Sequence, residues 1–170
     1  MTLKVMRGFG GLLNRLPRVS GPFLACAWYG LIFTLSSREG SARAGPVGGA
    51  WALNTGHSLL FGLLALWLLL GLPRSQGWPD VRRRGVALVL GLVLMLGALD
   101  ELHQGSVPHR SMSVSDVITD LTGAACVLWI CAYTHSAAAD ERGMRGRLAL
   151  SVAACCLAGS LATLADIYLA

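Results

Sequence analysis

Charge is scarce in this chain. Asp, Glu, Lys and Arg make up 14% of it, against roughly 25% in an ordinary soluble domain. Aromatic residues are also few, at 7%. Low charge with few aromatics can mark a disordered chain, but 54% of the residues here are hydrophobic, which excludes that reading. Several common chemistries leave no mark. There is no glycine-rich phosphate loop, no nucleophile elbow and no zinc-protease histidine pair. The five cysteines, Cys26, Cys126, Cys131, Cys155 and Cys156, all fall inside apolar runs, away from the loops where oxidants act. Adjacent Cys155 and Cys156 point to different sides of a helix, so they are no natural disulfide pair. All five read as small packing residues rather than zinc ligands.

What the chain has instead is lipid-compatible length. Five apolar blocks cover about residues 19–37, 54–72, 85–104, 114–135 and 148–170. Each is about as long as a helix needs to cross a hydrocarbon core of ~30 Å. The runs are continuous rather than alternating, which favours helices over barrel strands. The connections hold most of the charge and Pro46, Pro73, Pro79 and Pro108. The expected fold is therefore an all-α polytopic transmembrane bundle of about five spans. It divides into a basic N-terminus (1–21), a four-helix core (22–135), a loop (136–147) and a further helix (148–170). The 21 glycines suit close helix packing in lipid.

The basic residues orient the bundle. With the N-terminus inside, Lys4, Arg7, Arg15, Arg18, Arg74, Arg82, Arg83, Arg84, Arg142, Arg145 and Arg147 are cytoplasmic, and only Arg38, Arg43 and Arg110 lie outside. This asymmetry predicts an N-in, C-out protein of the inner (cytoplasmic) membrane. It accounts for the net charge of +5 without a nucleic-acid partner. Such a basic face would also suit anionic lipid headgroups. A competing reading takes the basic start, the first apolar run and Ala42-Arg43-Ala44 as a cleaved signal peptide, which would leave four spans. The arginine within that site counts against it.

On this topology the ionisable side chains of the spans gather at the outer side. Ser36 and Ser37 end the first helix, and Asn54 and His57 open the second. Asp100, Glu101, His103 and Gln104 close the third. Arg110 sits in the following short loop, and Asp116 and Asp120 open the fourth. The inner halves of these helices are almost purely apolar. A charge as deep as Asp120 costs on the order of 2.5–3.5 kcal/mol if it faces lipid, so Asp100 and Asp120 should face the bundle interior. By helical spacing Asp100 shares a face with His103 and Gln104, and Glu101 shares one with Gln104. Asp116 and Asp120 share a face and repel unless a cation or a proton intervenes. Arg110, with its planar fork, is the expected cation.

Blander readings stand beside these. Ser113 to Asp116 has the spacing of a capping box, and Asn54 has the character of an N-cap. His103, Gln104 and Glu101 would suit the aqueous end of a helix, and Asp166 reads as interfacial. A purely structural ion-pair network with Arg110 would explain His57, Asp100 and Asp120.

The segment Asp100-Glu101, Gln104, Pro108, Arg110, followed by Asp116, Asp120 and Gly123, resembles the central signature of the VanZ-like family. Asn54-Thr55-Gly56-His57 before Leu60-Phe61 resembles the family's earlier helix opening, and Phe33 to Ser37 its first-helix ending. The resemblance spans about residues 22–135, and the helix from Leu148 lies outside it. Two positions depart: Asp120 stands where the family often has Asn, and His109 where it commonly has Gly. The resemblance implies a membrane protein of the cell envelope, from a family named for a role in resistance to the glycopeptide teicoplanin. It supplies a compartment and a theme rather than a reaction.

Three classes of function are open at this stage. The first is an enzyme or lipid-headgroup site for an envelope component such as a lipid-linked precursor. Its catalytic candidates are His57, Asp100, Glu101 and His103, and its substrate-binding candidates are Asn54, Gln104, Arg110, Asp116 and Asp120. Asp100 and His103 would be the first candidates for a divalent cation, although two ligands make a poor site. The second is a proton or small-solute pathway, against which the polar groups stop halfway. The third is a non-catalytic structural or assembly partner.

Overall fold

A computed structural model describes residues 1–37, 47–75, 78–108, 110 and 112–168. Arg38, Arg43, Pro46, the Ala42-Arg43-Ala44 segment and His109 lie outside the described residues. The described chain forms helices α1 (Thr2–Leu13), α2 (Ser20–Ser36), α3 (Val47–Gly71), α4 (Arg83–Gln104), α5 (Val114–Thr134) and α6 (Glu141–Tyr168). A short antiparallel ladder, β1 (Arg74–Ser75) with β2 (Trp78–Pro79), joins α3 to α4, with Arg74 opposite Pro79. Four helices, α3 to α6, are long and apolar enough to cross a membrane. The fifth expected span, α2, is apolar but shorter, at 17 residues, or ~26 Å of rise. Helices are the form such segments must take, because a helix satisfies its own backbone donors and acceptors in a solvent that offers none.

Helix α3 is the central element and packs against α2, α4, α5 and α6. Its buried face, Phe61, Leu64, Ala65 and Leu69, meets Ile32, Val89, Val93, Ala124 and Leu128. Tryptophan and tyrosine side chains fix α2 to this core: Trp28 Nε1 donates to the Leu60 carbonyl at 2.8 Å, and Tyr29 Oη to the Leu96 carbonyl at 3.0 Å. The outer faces carry exposed Leu59, Leu88, Leu94, Leu99, Ile118, Leu157 and Leu161. So many exposed large apolar residues fit contact with lipid rather than water.

Glycine sets the closest approach. A methyl group on Gly123 of α5 would overlap the Ser58 carbonyl of α3, and Ser58 Oγ donates to the Thr119 carbonyl at 3.0 Å across the same contact. The lack of a side chain lets the two backbones meet, and this brings His57 and Asp120 within reach of each other.

Several boundaries differ from expectation. Helix α3 begins at Val47, well before Asn54, and α6 begins at Glu141 rather than Leu148. Charged residues, Glu141 to Arg147, extend α6 past its apolar run, whereas the α3 extension, Val47 to Leu53, is apolar but holds two helix-disfavouring glycines. The basic N-terminus is itself a helix, α1. Its Leu3, Gly10 and Leu13 are buried, and Glu141 accepts the backbone N–H groups of Thr2 and Leu3 at 2.5 and 2.9 Å.

Candidate functional site

The end of the bundle formed by the α2 C-terminus, the α3 N-terminal half, the α4 C-terminus and the α5 N-terminus holds a buried polar cluster. At its centre is Asp100, fully buried. Its Oδ2 accepts Ser36 Oγ of α2 at 2.8 Å and Gln104 Nε2 at 2.9 Å. The Gln104 amide also donates to Glu101 Oε1 at 3.0 Å, so one side-chain amide spans two carboxylates one helical turn away. Glu101, 5% exposed, uses Oε2 to accept the backbone N–H of Ser113 at 2.7 Å. A carboxylate from α4 thereby binds the residue that precedes α5, and so fixes the entry of that helix.

His57 and Asp120 form the second half. His57 Nδ1 lies 3.2 Å from Asp120 Oδ1, and Asp120 is 1% exposed. The other Asp120 oxygen sits over Gly97 of α4, where a methyl group would come within 2.9 Å of it. One nitrogen of His57 and one oxygen each of Asp100 and Glu101 lie within 4.8 Å of one another. Asp116, 8% exposed, completes the acidic lining. Three oxygens, Asp100 Oδ1, Asp116 Oδ1 and Asp120 Oδ2, are buried with no hydrogen-bond partner among the described residues.

Arg110 joins the cluster, but not as an ion pair. Its Nη1 donates to Gln104 Oε1 at 2.8 Å and to the Ser36 carbonyl at 3.2 Å. Among the described residues no carboxylate lies within salt-bridge distance of it. The expected pairing of Arg110 with Asp116 and Asp120 is thus replaced by His57 for Asp120. The loop after α4 folds back over its own helix end, which brings the guanidinium to Gln104 instead of across to α5.

Other expectations are corrected too. His103 does not join Asp100. Its Nε2 meets Ser37 Oγ at 2.9 Å and its ring stacks on Phe33, with centroids 4.0 Å apart. The i,i+3 and i,i+4 directions from Asp100 diverge enough that Gln104 faces the interior while His103 faces α2. No metal-ligating group containing both Asp100 and His103 forms among the described residues. Asn54 is not an N-cap. It lies two turns inside α3 and donates to Thr163 Oγ1 at 3.2 Å and Asp166 Oδ2 at 3.0 Å, so Asp166 is a partner across helices rather than a solvated end group. The capping box does not form either. Ser113 precedes α5 without a side-chain cap bond, and its hydroxyl meets Ser115 at 2.7 Å.

Sequence reasoning named most of the cluster but missed three contributions. The Ser113 backbone could not be seen from side-chain pattern. Thr163 and Asp166 share a face of α6 by their i,i+3 spacing, a signal that was present. The cysteines are all free and belong to no group able to hold a metal among the described residues.

A family model described as VanZ/LLP1 matches residues 22–135, the stretch that contains all but the first two residues of α2, the whole of α3 to α5 and all of His57, Asp100, Glu101, Gln104, Arg110, Asp116 and Asp120. No curated protein and no solved structure matches the chain.

Proposed function

The chain belongs to the VanZ-like family, and from that premise we propose that it binds or modifies a component of the cell envelope through the buried polar cluster. The end that carries the cluster is the extracytoplasmic one on the positive-inside rule, where wall precursors and glycopeptides are found. The observation that carries the reading is the convergence of Asp100, Glu101, Asp116 and Asp120, all buried, with His57 and Arg110 at one end of an otherwise apolar bundle. Ionisable groups are costly in spans, and they are retained where they do something.

The parts divide as follows. Arg110 uses Nη1 for the protein, and the rest of its fork is suited to a phosphate or carboxylate of the ligand. His57, oriented by Asp120, is the candidate proton acceptor. Asn54 belongs to the neighbouring α3–α6 contact and supports the site from outside. A second reading, a structural or assembly role, is favoured by one observation: Ser36, Gln104 and Ser113 all spend their hydrogen bonds inside the cluster, as a packing network would.

Antibiotic susceptibility separates the two. Wild type, Asp100→Asn and Arg110→Ala are compared at matched membrane abundance in a glycopeptide-sensitive host, with teicoplanin against vancomycin. Selective protection against teicoplanin by wild type, lost in both variants, supports the envelope reading. Protection retained by both variants assigns the cluster a structural role, and no protection at all removes the link to teicoplanin.

A further inference from the structure

Charge balance within the cluster is incomplete. Asp100, Glu101, Asp116 and Asp120 are buried, and four ionised carboxylates carry four negative charges. His57 and Arg110 can supply at most two positive ones, and Arg110 is directed at an amide and a carbonyl oxygen rather than at a carboxylate. Burying unpaired charge costs several kcal/mol per group unless it is coordinated or neutralised. Two negative charges stay unmatched even with both cations in place, and three where His57 is a neutral metal ligand, so one divalent ion offsets most of the excess.

The geometry supplies the place for it. A His57 nitrogen and oxygens of Asp100 and Glu101 lie mutually within 4.8 Å, close enough that small side-chain rotations would bring them to the ~3.3–3.6 Å between tetrahedral ligands with bonds of ~2.0–2.2 Å. Asp100 Oδ1 is buried and without a partner, and its residue is fully buried. A protonated carboxyl at that oxygen would need an acceptor; a metal needs only the lone pair. Asp120 engages Nδ1 of the same imidazole at 3.2 Å, the carboxylate–histidine pairing that fixes the tautomer and orientation of a ligating ring. Gln104 orients both carboxylates, at 2.9 and 3.0 Å.

We propose that His57, Asp100 and Glu101 bind a divalent first-row ion of the Mn²⁺ to Zn²⁺ range, with Asp120 and Gln104 holding the ligands in place. One imidazole with two carboxylates suits these ions. Calcium, which takes six to eight oxygens, fits the set poorly. The proposal rests on the reading of this cluster as a functional centre and revises one part of it: with one nitrogen on the ion and Nδ1 on Asp120, His57 serves as a ligand and not as the proton acceptor. The ion would supply a positively charged anchor beside Arg110 for an anionic group of the ligand.

The test uses full-length protein purified in detergent. Metal content is measured after isolation, then again after chelator treatment and titration with Zn²⁺, Mn²⁺, Mg²⁺ or Ca²⁺. The expected result is about one Zn²⁺ or Mn²⁺ per chain, with a rise in Tm of ~5 °C or more at saturation. Asp100→Asn and Glu101→Gln should lose at least tenfold in affinity, while Asp166→Asn should bind as wild type does. Retained binding in both cluster variants overturns the site, and so does the lack of any bound ion or thermal shift in wild type. Should the variants fail to fold, X-ray absorption at the zinc edge of the wild type decides. One imidazole among oxygen ligands supports the site, and a sulfur shell overturns it. Because these readouts need no antibiotic, a protein that holds the ion yet fails to protect cells loses only the envelope reading.

Discussion

His57 Nδ1 lies 3.2 Å from Asp120 Oδ1, and among the described residues this is the single link between α3 and α5 that involves two ionisable side chains. It exists because α3 and α5 touch backbone to backbone at Gly123. An asparagine at position 120 would change the charge and keep the oxygen that faces His57.

Asp120→Asn should therefore be mild. The amide oxygen can still accept from His57, so the folded protein should persist with a small drop in thermal stability. Asp120→Ala, which strands His57 with no partner, should cost on the order of 3–5 kcal/mol, the range for breaking a buried pair. Thermal unfolding of the two detergent-purified variants checks the ranking, and an Asn variant as unstable as the Ala variant would show that the charge itself is required.

The glycine contact gives a second expectation. Gly123→Ala places a methyl group on the Ser58 carbonyl, and overpacking costs about 1–3 kcal/mol, with backbone contact toward the upper end. Gly91 of α4 has open space around it, so Gly91→Ala should be neutral or stabilising by up to about 1 kcal/mol through helix propensity. Size-exclusion recovery after a heating series distinguishes the two.

Gln104 bridges Asp100, Glu101 and Arg110 at 2.8 to 3.0 Å. Gln104→Leu keeps the volume and removes three hydrogen bonds, two of them to buried carboxylates, at a cost of about 1.5–3 kcal/mol for each bond to a charged group before relaxation. The expected outcome is a large fall in folded yield together with loss of any protection in cells. A Leu variant that retains both would move the functional centre away from this cluster.

Orientation is accessible to chemistry. Met112 is 61% exposed at the cluster end, and the stretch from Ser136 to Ala139 is at the opposite end, between α5 and α6. In a background without the native cysteines, a membrane-impermeant thiol reagent should label Met112→Cys in intact cells and label Ala137→Cys only after lysis. The reverse pattern would place the cluster in the cytoplasm.

Glu141 ties α1 to α6 through the N–H groups of Thr2 and Leu3. Glu141→Ala should release that clasp without unfolding the bundle, because contacts of exposed charged groups add little to stability. Amide exchange over residues 2–13 should accelerate while α3 stays protected.

The apolar blocks alone determined an all-helical membrane-spanning protein, because lipid leaves a long apolar run no other way to satisfy its backbone. The same logic placed Asp100 and Asp120 in the interior, since facing lipid would be too costly. Helical period placed Gln104 with Asp100 and Glu101. What it could not decide was which of two residues one turn from Asp100 would turn inward. That depended on α2, which offers Ser36 to Asp100 and the Phe33–Ser37 edge to His103. Nor could it choose His57 over Arg110 as the partner of Asp120, or bring Asn54 to Asp166. Those pairings join residues far apart in the chain, and only the packing of helix on helix, set by Gly123, Gly97 and the loop after α4, decides them.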